Sequence, residues 1–169
     1  MLCQKTDQMT ARPCTPPRLS FDERQCLAIH EMAEWTHALT LTFLRADRYG
    51  RPCTEFAMSA AIRHFLRVLN ILCFGRKRFD KGHRLFAVWA IGFGSANTHP
   101  HCHMAIAAPT AMDSPVFQRL LNKAVRKTRW FAQQHKADRY RNEGWIKYMK
   151  SHQKALHFDL PRPANPRIG

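Results

Sequence analysis

The chain has 169 residues, 45% of them hydrophobic and 23% charged, which is the length of one domain with the apolar content of a packed core and excludes a disordered polyelectrolyte or a disulfide-stapled miniprotein. Its 27 Lys and Arg against 12 Asp and Glu leave a formal charge of +15; such an excess marks a polyanionic partner, nucleic acid ahead of an anionic membrane surface, because each phosphate met by a cation releases condensed counterions. No uninterrupted apolar run of about 18 residues marks a spanning helix, and no apolar stretch follows the N-terminal charges as in a signal peptide, so a cytoplasmic protein without a membrane is expected.

In chain order, residues 1–20 hold prolines and basic residues without periodicity and read as a flexible basic arm. Ser20 and Glu23 have the spacing of a capping box that opens a helix over 21–35. From Thr36 to Phe43 the period becomes two: His37, Leu39, Leu41 and Phe43 on one face, Thr36, Ala38, Thr40 and Thr42 on the other, a half-buried strand. A loop with Gly50 and Pro52 leads to helical spacing over 55–74. There Met58, Ile62, Phe65, Leu66, Leu69, Leu72 and Cys73 form an apolar stripe, opposite Arg63, Arg67 and Asn70, and Gly75 is the stop. Residues 76–84 read as a basic loop. The apolar run 85–93 and the segment 101–107 predict two strands of an antiparallel hairpin, turned at Gly94 to Asn97.

Ser114 followed by Pro115 predicts a helix start with Ser114 as the cap; Phe117, Leu120, Leu121, Ala124, Val125 and Phe131 are its expected buried stripe. A polar loop is expected over 134–143, then a short helix over 144–153, and 161–169 reads as a proline-rich tail. The domain is thus placed at 21–160. Of the six cysteines none forms a Cys-x-x-Cys pair or a zinc spacing, so they are expected reduced, with Cys73 and Cys102 packed inside and a Cys14–Cys26 bridge left open.

The chemically informative segment runs from His99 to Ile106. Side chains two apart on a strand share a face, so His101 and His103 project together while Cys102, Met104 and Ile106 enter the core. Two imidazoles on one face of a strand are half of a metal site, although exposed sheet histidines look the same in sequence. Downstream, Tyr148 lies on the short helix among Lys147 and Lys150. A phenol attacks a phosphodiester when a metal polarises the phosphoryl group and a cation stabilises the phenolate; alternatively, Tyr148 is an amphipathic residue packed at the surface.

The order of these elements resembles the His-hydrophobic-His (HUH) endonucleases. It has a Leu-Thr-rich first strand (Ala38 to Phe43), a helix carrying Arg63 to Leu66, the His101–His103 strand, a Thr128 to Trp130 segment, and a Gly144-Trp145-Ile146-Lys147-Tyr148 helix. The resemblance covers about residues 36–160 and is nearest to the replication initiators of filamentous phages and plasmids. It implies an α+β fold of HUH/RRM-like type, a central antiparallel sheet with helices packed on one face and the histidines on the other. It also implies metal-dependent nicking and rejoining of single-stranded DNA at an origin or hairpin through a 5′-phosphotyrosine, initiating rolling-circle replication.

By that resemblance His101 and His103 correspond to the metal ligands for Mg²⁺ or Mn²⁺ and Tyr148 to the nucleophile, with Lys147 or Lys150 offsetting the phenolate. His152, one helical turn after Tyr148, is the candidate third ligand, with His99 a second. Two features depart from the family: Ser151 stands where a basic residue is usual, and Ile91-Gly92-Phe93 carries no carboxylate where phage-type relatives have an acidic ligand. Arg63, Arg67, Arg76, Lys77, Arg78, Lys81 and Arg84 are the candidate DNA contacts, and a host helicase is a further candidate partner. The rival readings are a catalytically decayed DNA-binding protein on the same fold, a single-tyrosine HUH transposase, and an RNA-binding module.

Overall fold

The computed structural model describes residues 19–93, 99–152 and 155–161, with backbone only at 133, 134 and 152. The elements are α1 (Phe21–Glu31), β1 (His37–Phe43), α2 (Glu55–Phe74), α3 (Arg76–Asp80), β2 (Phe86–Gly92), β3 (His101–Ala107), α4 (Ser114–Arg126), β4 (Phe131–Arg139), α5 (Gly144–His152) and β5 (His157–Asp159). The architecture is α+β around one five-stranded sheet in the order β4-β1-β3-β2-β5, every described pairing antiparallel. The histidine strand β3 is therefore central, hydrogen-bonded on both edges as its neighbours β1 and β2 also are.

Alternation divides the sheet into two faces. His37, Leu39 and Leu41 lie in register with Ile106, Met104 and Cys102, and these with Ala87, Trp89 and Ile91, while Phe43 pairs with Phe131. That face packs on α2 and α4 through Phe65, Leu69, Phe117 and Leu121, all fully buried. By length and composition α2 could cross a bilayer, but here its apolar stripe is spent on the sheet and α4. The opposite face carries Ala38, Thr40 and Thr42 beside Ala105, His103 and His101. Helices were expected on one face only, yet α1 and α5 pack on this second face. Cys26, Ile29, Ile146 and Met149 meet Val88, Ala90 and Ala105 in a second, smaller core. The small residues at 38, 90 and 105 let α5 lie close to the strands.

The capping box forms as expected: the Ser20 amide donates to Glu23 Oε2 at 2.8 Å and the Glu23 amide to Ser20 Oγ at 3.2 Å. Helix α1 ends at Glu31, short of the expected 35, because Trp35 turns inward and its indole N–H donates to the Ile29 and His30 carbonyls at the helix end. Gly75, at φ +76°, stops α2, and the basic run after it forms the short helix α3 rather than a loop. The cap of α4 is Asp113 without a side-chain bond, not Ser114, which is the first helical residue.

Two strands occupy segments expected to be irregular. Residues 131–139, read as helix end and polar loop, form β4, and β5 follows α5; both are edge strands. An edge strand tolerates Lys136, Asp138 and Arg139 because charged side chains there discourage pairing with other chains. That removes the apolar alternation on which strand recognition depends. Phe131 accordingly belongs to β4, its ring 5.2 Å from Phe43 and 5.6 Å from Phe65. Cys102 is buried and Cys73 is partly so, with burial raising the Cys102 thiol and pushing that of Cys73 up to about 12. Cys26 is a free thiol, and Cys14, its proposed partner, lies outside the described residues. The Gly94 to Asn97 turn and most of the two termini lie outside them as well.

Asn70, assigned to the outer face of α2, is fully buried. Its amide donates to the Leu66 carbonyl at 2.8 Å and its oxygen accepts from the Leu85 amide at 2.7 Å, so it closes the backbone account where β2 begins. Asn70→Ala is expected to leave the Leu85 N–H without an acceptor and to cost about 1–3 kcal/mol in a urea unfolding measurement.

His37 is buried on the α2/α4 face, its ring centroid 4.7 Å from that of Phe117, and burial lowers its pKa. A lowered histidine pKa means the unfolded chain binds the proton first. Stability is therefore full above the unfolded value of about 6.5 and declines as pH falls below it toward the folded value. His37→Phe is expected to lose less stability than the wild type between neutral and mildly acidic pH; an identical loss would show that His37 is not the group responsible.

Candidate functional site

The site lies where β3 and α5 meet on the second face. In α5, Ile146 and Met149 point into the small core, both fully buried. Trp145 and Tyr148, three apart and so one above the other, form the neighbouring stripe. That stripe faces His103. The His103 ring centroid is 5.1 Å from that of Tyr148 and 5.2 Å from that of Trp145, edge-on to both, and 4.8 Å from that of His101. Tyr148 and Trp145 stack at 5.5 Å with an interplanar angle of 22°. The strand parity of the two histidines and the helix carrying the tyrosine thus converge as the sequence led one to expect.

Local hydrogen bonds orient the imidazoles. His101 Nδ1 lies 3.1 Å from the His99 carbonyl, an acceptor only, so Nδ1 is the donor of this contact. His103 Nδ1 lies 3.0 Å from Thr40 Oγ1, which pairs with it across the β1–β3 register. A hydroxyl can accept from an Nδ1–H, so Thr40 is placed to orient this ring. Histidine ligands of metals characteristically give their other nitrogen to such partners. The residues fit a divalent cation in that sense, although among the described side chains no third His, Cys, Asp or Glu joins the pair. His99, the second candidate, turns Nδ1 toward the Phe43 carbonyl at 3.3 Å. His152 falls in the last turn of α5, its side chain outside the described residues.

The lysines of the helix are otherwise engaged. Lys150 Nζ pairs with Asp22 at 2.7 Å and also donates to the Gln25 side chain, which ties α5 to α1. Lys147 pairs with Glu143 at 3.6 Å. The Lys150 contacts therefore help to pack α5 on α1, whereas the Lys147 pair is local to the start of α5. The candidate DNA contacts also stand apart from the histidines: Arg63 and Arg67 are on the exposed side of α2, on the opposite side of the sheet. Arg76 to Lys81 lie on and just after α3. Arg84 precedes β2 at the end of the hairpin away from His101, its guanidinium over the Phe79 ring at 3.6 Å.

What sequence reasoning missed lies on β4 and its exit. A cavity of about 520 Å³ opens beside Tyr148, bounded by Ala38, Lys136, Asp138, Arg139, Arg141, Asn142, Gly144, Trp145 and Tyr148. Its cations could be found from sequence only by recognising β4, whose pairing sets Lys136 opposite Thr40 and Asp138 opposite Ala38. A larger cavity of about 870 Å³ lies at the other end of the sheet, near His37, Arg84 and Ala107.

The other tyrosines are differently placed. Tyr140, expected in a polar loop, is buried against Trp35 and His30, and burial pushes its hydroxyl up to about 12. Tyr49 is in the loop after β1, where Arg48 lies over its ring at 4.7 Å. No protein-family model matches the chain, and no curated protein or solved structure matches it either.

Proposed function

We propose that this protein nicks and rejoins single-stranded DNA through a 5′-phosphotyrosine, in the manner of an initiator of rolling-circle replication. The observation that carries the reading is the approach of Tyr148 to within 5.1 Å, ring to ring, of His103, itself paired with His101 on the central strand. It is supported by the charge of +15, which suits a polyanionic backbone.

In the step proposed, the Tyr148 oxygen attacks phosphorus, an O–P bond forms, and the bond from phosphorus to the 3′-oxygen breaks. The phenolic proton passes to solvent or a neighbouring base, and the leaving 3′-oxygen takes up a proton to become a hydroxyl. The reverse attack by that hydroxyl reseals the strand, because the phosphotyrosine conserves the phosphoester. A divalent cation held by the His101 and His103 imidazoles would supply Lewis acidity toward the phosphoryl oxygens. Between Mg²⁺ and Mn²⁺, imidazole donors favour the transition-metal ion, since Mg²⁺ takes oxygen ligands. Lys136, Arg139 and Arg141 around the adjoining cavity are further cations for the strand.

Incubation of the protein with end-labelled single strands and Mn²⁺, followed by a denaturing gel, tests the reading. A labelled, protease-sensitive band that survives denaturation is expected. The ion pairs of Lys147 with Glu143 and of Lys150 with Asp22 favour a second reading, a non-catalytic DNA-binding protein on this fold, for which DNA would bind without any such band.

A further inference from the structure

We infer that the cavity beside Tyr148 is a subsite for one unpaired nucleobase of the DNA strand, stacked on Trp145, with Lys136 and Arg141 taking the flanking phosphates. This rests on reading the site as one for single-stranded DNA, and it adds where the strand gains a base-dependent grip. The volume, about 520 Å³, is within the range of small-ligand pockets, roughly 300–1,000 Å³. Its wall at residue 38 is a single methyl group, which leaves space that a larger side chain on this face of β1 would fill.

The indole is held before any ligand arrives. Its N–H donates to the Met104 carbonyl at 3.1 Å, its ring meets His103 edge-on at 82°, and Tyr148 stacks against it. A platform fixed in this way loses little conformational freedom on binding, and every base offers a π-face to it. Lys136, Arg139 and Arg141 line the same cavity, so a flat aromatic surface and positive charge adjoin, the combination that single-strand sites use. The Lys136–Asp138 pair at 3.0 Å is no obstacle, because both side chains are more than half exposed and such pairs hold weakly. With Tyr148 on the rim, the stacked base belongs to the nucleotide next to the attacked phosphate. Contact there would register the strand for cleavage.

The test uses the full chain and single strands of about 12 nucleotides, a length within the usual site sizes. Wild-type affinity for oligoadenylate is compared by fluorescence anisotropy with that for a strand of the same length without bases. Trp145→Leu is expected to weaken oligoadenylate binding by about 5- to 150-fold, the range of one lost base–aromatic stack, and to leave the baseless strand unaffected. Should Trp145→Leu fail to fold, photocrosslinking of the wild type to a strand carrying 5-iodouracil serves instead, with the crosslinked peptide expected to contain Trp145 or Tyr148. Equal affinity of the wild type for both strands, or a crosslink elsewhere, overturns the subsite. Base-dependent binding through Trp145 without any covalent adduct upholds the subsite and removes the nickase, whereas an adduct with no effect of Trp145 does the reverse.

Discussion

Tyr148→Phe is expected to eliminate the covalent protein–DNA band while leaving folding and DNA affinity nearly intact. The substitution keeps the ring that stacks on Trp145 and meets His103 at 5.1 Å, so these two ring contacts are retained. It removes only the oxygen that is proposed to attack phosphorus. Tyr140→Phe is the informative control. Tyr140 is 7% exposed, its hydroxyl lies 3.0 Å from His30 Nδ1, and a phenol held near 12 by burial is a poor nucleophile at neutral pH. That variant should lose some stability from the broken contact and still form the adduct. An adduct that persists in Tyr148→Phe would require another nucleophile.

The second large effect concerns the imidazoles. His101→Ala with His103→Ala is expected to reduce Mn²⁺-dependent nicking by more than about 100-fold, since the loss of partners that merely orient metal ligands already costs about 10- to 100-fold. DNA binding should survive, because on the proposed reading most of the affinity is expected from basic residues elsewhere on the chain. Thr40→Val separates orientation from ligation. It removes the hydroxyl 3.0 Å from His103 Nδ1 but leaves both imidazoles, so the expected defect is smaller and is rescued by raising the Mn²⁺ concentration. Nicking rates measured over a Mn²⁺ series distinguish the three proteins; undiminished activity in the double variant would remove the histidines from the mechanism.

Where side-chain pattern and backbone state agree, the architecture was legible in the residues. The alternation from His37 to Phe43, the stripe on α2 and the Ser20–Glu23 box each correspond to an observed element. So does the parity of His101 and His103, because a strand can present two such residues only on one face. Illegible were the edges. β4 carries His135, Lys136, Asp138 and Arg139, a composition that reads as solvated loop until β1 supplies a hydrogen-bonded neighbour. Asn70 looked like an outer residue because helical spacing does not reveal that the Leu85 amide needs an acceptor. Nor does the sequence show that Lys150, a candidate to offset the phenolate, has a carboxylate within reach. Its carboxylate, Asp22, is on α1, far away in sequence, and only the packing of α1 on α5 brings them together.

The most direct test of the central claim is to map the site of attachment. Protein trapped with single-stranded DNA and Mn²⁺ under denaturing conditions is digested with trypsin and a nuclease, and the modified peptide is sequenced by mass spectrometry. A nucleotide joined through its 5′-phosphate to Tyr148 is the expected result. A nucleotide on Tyr49 or Tyr140, or cleaved DNA with a free 5′-phosphate and no modified peptide, would contradict it.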